Sequence, residues 1–508
     1  MNGAEHLLGA AALARHGPRV ALLWGAQSLS FVDFAAQVRR SCGALQALGI
    51  APGDRVLLLM RDTPQFAAAW LGAVRAGAIA IALNNRLSEA DYRHILDDSA
   101  AQLVIVEDVF ASAKPDLATE LSGERRVMVA GEALAGLPSW SAQLGRAGDG
   151  RAFDADQEAP ALALYTSGTT GRPKGIIHAH RAFLSLGNAF RAIGLAQGDC
   201  VFTTSKFFFA YGLEHGLLAP LAMGMTSAVF ADWPGPEAVL DIVARHRPAA
   251  LFSVPTMYRR LLAEPVDDLH ALRSVRYFVA GGERLSAQLI GQWRQAVGGE
   301  ILNLYGMSET FCACMMTPPG TSDGARTGKP FPGVELRLMP PADDETMSGT
   351  GVLWVRHPAQ ARAYANLPQE TREQFSDGWF CSRDLFRRDA QGFYAHQGRS
   401  DELLKVAGQW VQPGELEEVA TLEASVAEAA CVPVIDADGL ERLALFVTAR
   451  GDSMHAQRDA EAACERMLPR HKRPKWVRTV AELPRTATGK VQRYKLRETL
   501  ERELRHRD

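Results

Sequence analysis

DRVLLLM, at residues 54–60, begins a run of five segments that continues with TPQFAAAWLGAVRA (63–76), AIAIAL (78–83), SEADYRHILDDS (88–99) and QLVIVE (102–107). The three short apolar segments predict buried strands, and the two longer segments predict helices. Pro64 after Thr63 is typical of a helix start, and Ser88 followed by Asp91 resembles a capping box. Strands that alternate with helices in this way predict a parallel sheet in an α/β fold.

The same alternation returns between residues 200 and 310. Residues 249–254 predict a strand that a proline ends, and residues 275–280 predict another that a pair of glycines ends. From about residue 325 the segments become shorter and more strand-like, and from about residue 398 short strands and helices mix. The sequence therefore predicts a large N-terminal domain of parallel α/β subdomains, a β-rich subdomain and a small α+β C-terminal domain.

Length and composition are those of an ordinary globular protein. The chain has 508 residues, of which 47% are hydrophobic and 22% charged, and its net charge is −3. That length predicts about two to four domains, and the composition argues against a disordered or membrane-embedded chain. The charge is uneven, because residues 465–508 hold 14 Lys and Arg against 6 Asp and Glu, a balance of +8 that leaves −11 for the rest.

Seven cysteines are scattered along the chain without a CxxC pair. An odd and scattered set argues against a disulfide framework and a structural zinc site, so we expect a reducing compartment, the cytoplasm. The N-terminus lacks basic residues ahead of its apolar run, and we expect it to form the first helix rather than a secretion signal. The apolar residues 217–230 are too few to cross a bilayer, which needs ~20, so no membrane association is expected.

The segment YTSGTTGRPKG (165–175) directly follows the apolar residues 161–164. Its glycines, four Ser and Thr residues and one lysine would expose backbone N–H groups, hydroxyl donors and a cation, a combination that suits a polyphosphate. Lys174 is flanked by proline and glycine, so the segment is not a Walker A loop. We expect a mobile phosphate-binding loop, with a plain surface turn as the alternative.

At this segment the chain resembles the acyl-adenylate-forming superfamily of acyl- and aryl-CoA ligases, luciferases and peptide-synthetase adenylation domains. The other superfamily signatures follow in order, as NLYGMSET (303–310), DGWFCSRD (377–384), GRSDELLKVAG (398–408) and PRTATGK (484–490). The resemblance implies an ATP-dependent acid–CoA ligase that forms an acyl-AMP intermediate and then a thioester, using Mg²⁺ and coenzyme A. It further implies an N-terminal domain at 1–397, a hinge at 398–402 and a mobile C-terminal lid domain at 403–508.

The resemblance also assigns residues to the nucleotide, the metal and the reacting atoms. Those expected to bind ATP or AMP are Thr166, Ser167, Gly168, Thr169, Thr170, Lys174, Gly282, Glu283, Tyr305, Gly306, Asp384 and Arg399. Glu309 resembles the magnesium ligand of the superfamily, and Mg²⁺ commonly takes one or two carboxylates. Ser308 can donate to the α-phosphate, and Lys490 is expected to bridge that phosphate and the substrate carboxylate, where developing charge needs a cation.

One departure from the superfamily lies beside the ribose motif. Ser382-Arg383-Asp384 stands where Thr-Gly-Asp is common, and the sequence leaves open whether the arginine faces the nucleotide or solvent. Asp401 matches the hinge residue about which the C-terminal domain turns between the two half-reactions, with an ordinary exposed acidic residue as the alternative. Gly408 is expected to line the tunnel for the CoA thiol, where a side chain would obstruct the pantetheine arm.

The segment KFFFAYGLEHG (206–216) resembles the corresponding stretch of benzoate-type CoA ligases. The residues expected to line an acyl pocket are Phe208, Phe209, Ala210, Tyr211, Gly212, Ala280, Gly281 and Met307. A flat apolar slot suits a ring, so benzoate-like aromatic acids are the predicted substrates. His215 is expected to be structural rather than a contact for a ring substituent, and we expect the same of His178 and His180.

Alternatives are open for the acid and for the acceptor. Alicyclic or medium-chain fatty acids are the alternative substrates, and a carrier protein is the alternative acceptor. Basic residues near 470–475 and 493–497 suit either the phosphates of coenzyme A or a carrier protein. A nucleotide-binding protein without catalysis is disfavoured because Lys174, Glu309 and Lys490 are all present. Nucleic acid is not an expected partner, since no reading motif occurs, and the oligomeric state is open, with a homodimer as one alternative.

Overall fold

The computed structural model describes residues 1–113, 126–132, 134, 136–167, 172–340, 349–402, 404–406, 409–436, 439–485 and 491–505. The chain divides into two compact units. The first comprises Met1–Leu336, Val355–Cys381 and Gln391–Phe393, and the second comprises Arg337–Trp354, Ser382–Ala390 and Tyr394–Asp508. The predicted fold class, α/β with a large N-terminal and a small C-terminal part, is confirmed. The exact domain borders and the hinge at 398–402 stay predictions.

The first unit contains a seven-stranded sheet that includes the strands predicted between residues 54 and 107. Across the sheet, the strands are Ala363–Tyr364, Pro173–Ala179, Pro160–Ser167, Ile79–Ala82, Arg55–Leu59, Leu103–Glu107 and Arg126–Ala130. The last five run parallel to one another, as the alternating pattern predicts. The first two pair antiparallel with their neighbours, which the sequence pattern did not indicate.

The two helices between these strands begin where the sequence predicts. In helix Pro64–Ala76 the Thr63 hydroxyl accepts a hydrogen bond from the N–H of Phe66 at 3.1 Å. In helix Glu89–Ser99 the Ser88 hydroxyl accepts from the N–H of Asp91 at 3.2 Å. Each cap satisfies an N–H group that the first turn of a helix leaves without a partner, so the predicted helix starts are confirmed.

A nine-stranded sheet forms the other half of the first unit. Across the sheet, the strands are Lys329–Pro330, Met315–Met316, Ile301–Tyr305, Tyr277–Gly281, Ala250–Ser253, Cys200–Thr203, Thr226–Val229, Val20–Trp24 and Gln27–Ser30. The six strands from Ile301–Tyr305 to Val20–Trp24 are parallel, and antiparallel strands close both edges. The predicted strands at 249–254 and 275–280 both lie in the parallel centre.

Helices cover these sheets, as buried parallel strands require. Among the described residues of the first unit, the α-helices are Gly3–Leu8, Ala10–His16, Phe31–Ala47, Pro64–Ala76, Glu89–Ser99, Asp108–Ala113, Trp140–Arg146, Asn188–Ala192, Ala210–Leu213, Ala219–Met223, Pro236–His246, Pro255–Leu261, Ala287–Val297 and Pro368–Gln374. The predicted first helix is two helices, because Gly9 adopts an extended conformation between them. Among the described residues, no helix has the length and apolar character needed to cross a membrane.

A five-stranded sheet accounts for the strand-rich texture after residue 325. Its strands are Glu335–Met339, Thr350–Arg356, Trp379–Arg388 and Phe375–Ser376, with Tyr394–Arg399 paired to Trp379–Arg388. The pairs formed by Trp379–Arg388 with Phe375–Ser376 and with Tyr394–Arg399 are antiparallel.

The second unit has its own hydrophobic core, and part of its basic charge is paired with acidic side chains of the same unit. Its remaining elements are the strand pair Leu404–Val406 and Gln409–Val411, the three-stranded sheet Val426–Ile435, Glu441–Ala449 and Trp476–Thr479, and the helices Pro413–Thr421, Ser453–Met467 and Arg493–Arg505. Lys472 pairs with Glu415 at 2.6 Å, and Arg493 pairs with Glu417 at 2.8 Å. Lys475 likewise pairs with Asp436 at 2.8 Å. Part of the uneven charge is therefore compensated within this unit.

Candidate active site

Three of the predicted site segments lie at the carboxyl ends of parallel strands in the nine-stranded sheet. Strand Cys200–Thr203 leads into the aromatic segment 206–216. Strand Tyr277–Gly281 ends at the predicted pocket residues Ala280 and Gly281, and strand Ile301–Tyr305 leads into the turn with Glu309. Strand Ala250–Ser253 lies between the first two. In open α/β sheets, ligands bind outside the carboxyl ends of the strands. The topology thus brings the predicted acyl-pocket residues and the turn with Glu309 to one end of the parallel strands of this sheet.

A buried ion pair fixes the start of the aromatic segment. The Lys206 ammonium lies 2.9 Å from Oδ2 of Asp62 and donates to the carbonyls of residues 230, 231 and 232 at 2.7–3.0 Å. Asp62 also accepts from the N–H of Phe207 at 3.1 Å. Burial raises the pKa of Asp62 to about 6 although Lys206 acts to lower it. Asp62 was not among the predicted site residues, although an acidic residue shortly after a buried strand was a signal for it.

The predicted pocket residues 208–212, here called the aromatic wall, are partly exposed and partly buried. Phe209, Ala210 and Tyr211 are half-buried, whereas Phe208 and Gly212 are buried. The Tyr211 hydroxyl donates to the Ser253 carbonyl at 3.1 Å, which fixes the ring across the strand ends. A Cβ added at Gly281 would lie 3.1 Å from Cε2 of Tyr211, so the ring packs against the glycine.

Ala280 and Met307, which are also predicted to line the acyl pocket, lie at or just after the same strand ends. Ala280 is buried within its strand, and Met307 is half-buried in the turn after strand Ile301–Tyr305. Gly282 is exposed and has a φ of 81°, a conformation that favours glycine. Glu283 is exposed and accepts from the N–H and the hydroxyl of Thr256, at 3.0 and 2.7 Å, at the start of helix Pro255–Leu261.

A buried carboxyl group lies directly behind the aromatic wall. Glu214 begins a π-helix, Glu214–Leu218, and its Oε2 accepts from the N–H of Ala313 at 3.0 Å. Burial raises the pKa of Glu214 to about 8, so the carboxyl is largely neutral at pH 7. His215 places Nδ1 2.9 Å from the Tyr211 carbonyl and stacks on Phe252 at 4.7 Å, and burial lowers its pKa to about 4. These contacts make both side chains part of the packing.

The turn that carries Glu309 is held from three sides. A Cβ at Gly306 would lie 3.0 Å from Cα of Ala313, so the turn packs closely there. The Ser308 carbonyl lies 2.8 Å from Nε2 of buried His178. The Tyr364 hydroxyl donates to Oε1 of Glu309 at 2.8 Å. Tyr364 was missed, because the two-residue strand that carries it has no signal in the sequence.

The donor type of Glu309 fits a magnesium ion. No cluster of three or more His, Cys, Asp or Glu side chains suited to a metal occurs among the described residues. A nucleotide-dependent Mg²⁺ site needs only one or two carboxylates, because phosphate oxygens and water complete the shell. A single half-buried carboxylate at a strand end therefore matches that kind of site.

The predicted phosphate loop is shorter than the segment 165–175, because both ends of that segment belong to strands. Strands Pro160–Ser167 and Pro173–Ala179 form a hairpin in which Thr166 pairs with Lys174, so both ends of the predicted mobile loop are strand. The backbone hydrogen bonds of this hairpin, which the glycine-rich composition concealed, are the reason for the difference. Gly168, Thr169 and Thr170 lie outside the described residues, and so does the side chain of Ser167.

Lys174 is paired with a carboxylate, Glu370, that was not among the predicted site residues. Its ammonium forms an ion pair with Glu370, which lies on helix Pro368–Gln374. The same ammonium lies 5.7 Å from the centroid of the Tyr364 ring. The predicted phosphate ligand is therefore a partly buried lysine with an acidic partner.

The predicted ribose and hinge residues meet within the second unit. Asp384 and Arg399 face each other across antiparallel strands, with Oδ1 of Asp384 3.5 Å from a guanidinium nitrogen. Arg399 also donates two hydrogen bonds to Asp401, at 3.0 and 2.8 Å. Arg383 has a φ of 59°, a left-handed conformation that explains why glycine is common at this position. Lys490 and Gly408 lie outside the described residues.

Two family profiles match the chain in order. Residues 10–365 match the AMP-binding enzyme family, and residues 415–490 match the AMP-binding enzyme C-terminal domain. The first match alone covers well over half of the chain. Tyr305, Glu309 and Lys174 lie in the first matched region, and Lys490 is the last residue of the second.

Curated relatives and solved structures are similar over nearly the full length. The chain is 38% identical to a 3-hydroxybenzoate–CoA/4-hydroxybenzoate–CoA ligase of Thauera aromatica, over 99% of this chain and 98% of the relative. It is 34% identical to a benzoate–CoA ligase of the same organism, over 98% and 95%. An anthranilate CoA ligase in complex with anthranoyl-AMP superposes with a TM-score of 0.90 at 30% identity, covering 99% of this chain and 98% of that one. A benzoate CoA ligase from Burkholderia xenovorans LB400 gives 0.87 at 31%, covering 98% and 100%.

Proposed function

The chain belongs to the AMP-binding enzyme family, and from this premise we propose that it joins a benzoate-like aromatic acid to coenzyme A in an ATP-dependent reaction. The observation that carries the choice of an aromatic acid is the packing of Tyr211 against Gly281 at the strand ends. A half-buried ring beside a residue without a side chain leaves a flat apolar surface, which suits offset or edge contact with a second ring. Relatives named for benzoate, hydroxybenzoates and anthranilate support the same class of acid.

In the first half-reaction the substrate carboxylate attacks the α-phosphorus of ATP. The bond between the α-phosphorus and the bridging oxygen breaks, and pyrophosphate leaves with the electron pair. Two anions approach each other in this step, so the site must supply cations and donors. We assign Thr166, Lys174 and the glycine-rich segment between them to the β- and γ-phosphates. Ser308 is assigned to the α-phosphate. Lys490 would bridge the carboxylate and the α-phosphate.

Mg²⁺ is the metal we assign to Glu309. When bound, it would neutralise phosphate charge and orient the leaving pyrophosphate. The part of this chain is to hold the carboxylate in place, through Tyr364 on one oxygen and the backbone of the turn. Tyr305 and Gly306 would border the adenine, as would Gly282 and Glu283.

In the second half-reaction the sulfur of coenzyme A attacks the carbonyl carbon of the acyl-AMP. A carbon–sulfur bond forms, the bond to the AMP oxygen breaks, and the thiol proton passes to solvent. We assign Asp384 and Arg399 to the ribose in both steps. Asp401 would act as the hinge and Gly408 would line the thiol tunnel. The contact of Arg399 with Asp401 supports this pairing, because it links a ribose residue to the hinge.

The experiment that tests the function measures release of AMP and pyrophosphate with coenzyme A across benzoates, alicyclic acids and fatty acids. Turnover of at least one benzoate is the expected result, and no turnover of any aromatic acid would contradict it. Phosphopantetheinylated carrier proteins replace coenzyme A in a parallel series. A thioester formed on the carrier but not on free coenzyme A would assign the chain to carrier loading instead.

The seven free cysteines support the cytoplasm as the compartment of this protein.

A further inference from the structure

Tyr364 contacts both Lys174, which the proposed function assigns to the phosphates, and Glu309, which it assigns to the metal. It belongs to the short strand Ala363–Tyr364, which pairs with strand Pro173–Ala179 of the hairpin described above and places Tyr364 opposite Ile176. Only 5% of the residue is exposed. Because the hairpin strand continues into Lys174, the tyrosine is held close to that lysine by backbone pairing.

The hydroxyl of Tyr364 is committed to Glu309. Its oxygen is 2.8 Å from Oε1 of Glu309 and 3.2 Å from Oε1 of Gln374. A tyrosine hydroxyl has one proton to donate, and a hydrogen bond to an ionised acceptor is shorter and stronger than one to an amide. The proton therefore goes to the carboxylate, and the amide of Gln374 packs beside it.

The ring of Tyr364 fixes the other charge. The ammonium of Lys174 lies 5.7 Å from the ring centroid, within the range of a cation–π contact. Phe375 supports the ring, with centroids 5.5 Å apart and planes at 71°. One side chain thus touches both the carboxylate assigned to the metal and the ammonium assigned to the phosphates.

We propose that Tyr364 is a positioning residue of the adenylation step, which orients the carboxylate of Glu309 for the divalent cation of the nucleotide complex. This inference rests on the proposed function, because it takes Glu309 as the metal ligand. Losing the hydroxyl would remove the hydrogen bond that holds Oε1 of Glu309, so the cation would be bound less tightly. Binding of the nucleotide without metal would be affected much less, because Lys174 keeps its ring contact.

The test compares the full-length protein with Tyr364→Phe and with Tyr92→Phe. Tyr92 is a matched control, since its buried hydroxyl donates to the Asn84 carbonyl at 2.9 Å, an interaction with no charged partner. The probe is Mn²⁺, and its free concentration is followed by electron paramagnetic resonance in the presence of α,β-methylene-ATP. We expect Tyr364→Phe to raise the Mn²⁺ dissociation constant about tenfold, the order expected for a hydrogen bond to a charged group. The control should stay within about twofold of wild type.

Three results would overturn the inference. The first is an unchanged Mn²⁺ affinity in Tyr364→Phe. The second is a loss of metal-free nucleotide affinity in Tyr364→Phe as large as its loss of Mn²⁺ affinity. The third is a loss of Mn²⁺ affinity in Tyr92→Phe as large as that in Tyr364→Phe. Gln374→Leu provides a second variant, because it leaves the hydroxyl with Glu309 and should keep Mn²⁺ affinity, whereas a tenfold loss there would assign the effect to packing. The readout uses no acid substrate. An enzyme that turns over no benzoate but shows the Mn²⁺ difference would contradict the function and support the inference. An enzyme that turns over benzoate but shows no Mn²⁺ difference would support the function and contradict the inference.

Discussion

The acyl side and the nucleotide side of the first unit use charge in opposite ways. Beside the aromatic wall, Lys206 and Asp62 are paired with side chains only 3% and 6% exposed, and Glu214 is buried and largely neutral. On the nucleotide side, Lys174 and Glu370 are 11% and 24% exposed, and Glu309 is half-buried. The charged groups assigned to the nucleotide side are thus more exposed than those beside the aromatic wall, which are buried in the core. We therefore expect mutations on the acyl side to change stability and mutations on the nucleotide side to change catalysis.

The largest effect is expected where the buried pair is broken. Lys206→Met leaves the Asp62 carboxylate buried without its cation, which typically costs about 3–5 kcal/mol of unfolding free energy. Chemical denaturation measures this loss. The double variant Lys206→Met/Asp62→Leu should recover only part of it. It removes the uncompensated charge, but it leaves the carbonyls of residues 230–232 and the N–H of Phe207 without these side-chain partners. A single variant within about 1 kcal/mol of wild type would remove the basis of the comparison.

The next effect concerns the metal carboxylate. Glu309→Gln should lower kcat/KM for ATP–pyrophosphate exchange about 10²-fold, because it removes an ionised ligand where charge develops. Its unfolding free energy should be unchanged. Glu335→Gln is the matched control, because Glu335 is exposed and its contact with Arg356 is long, at 3.5 Å. Equal activity of the two variants would contradict the role of Glu309.

A third prediction uses the pH dependence of stability on the acyl side. The pKa of Glu214 is raised from 4.5 to about 8 in the folded state, so its contribution is complete below pH 4.5 and is lost as the pH rises through 8. The wild type should therefore lose stability relative to Glu214→Gln across that range, by at most about 1.4 kcal/mol per pH unit. Denaturation of both proteins at several pH values measures the difference. Parallel curves would show that Glu214 ionises as freely as in the unfolded chain.

The smallest effect is expected at Glu370. In Glu370→Gln the ammonium of Lys174 loses the carboxylate with which it pairs, so KM for ATP should fall, by less than about fivefold for a partly exposed pair. Steady-state kinetics at saturating acid give this value. A rise in KM would instead show that Glu370 holds Lys174 in a productive position.

Residues that belong to regular patterns were predictable from the sequence, and residues that depend on long-range packing were not. The caps at Thr63 and Ser88 lie next to the helices they start, so local sequence was enough to locate them. Tyr364 and Glu370 reach their partners through a two-residue strand and a short helix, neither of which has a periodic pattern.

The predicted loop at 165–175 shows the same limit from the other side. Glycine-rich composition indicated a mobile loop, but cross-strand hydrogen bonds, which composition does not report, extend the hairpin into it. Arg383 is a further case, because the family pattern indicated an unusual residue and only the backbone φ of 59° supplied the reason.

A competition assay tests the central claim, ligation of an aromatic acid to coenzyme A, most directly. Benzoate, 3-hydroxybenzoate, cyclohexanecarboxylate and octanoate are mixed at equal concentration with ATP, Mg²⁺ and coenzyme A, and the thioesters are quantified by mass spectrometry. The ratio of products gives the ratio of kcat/KM values. The account predicts that an aromatic thioester dominates, with one AMP formed per thioester. A dominant cyclohexanecarboxyl or octanoyl thioester, or AMP without any thioester, would contradict it.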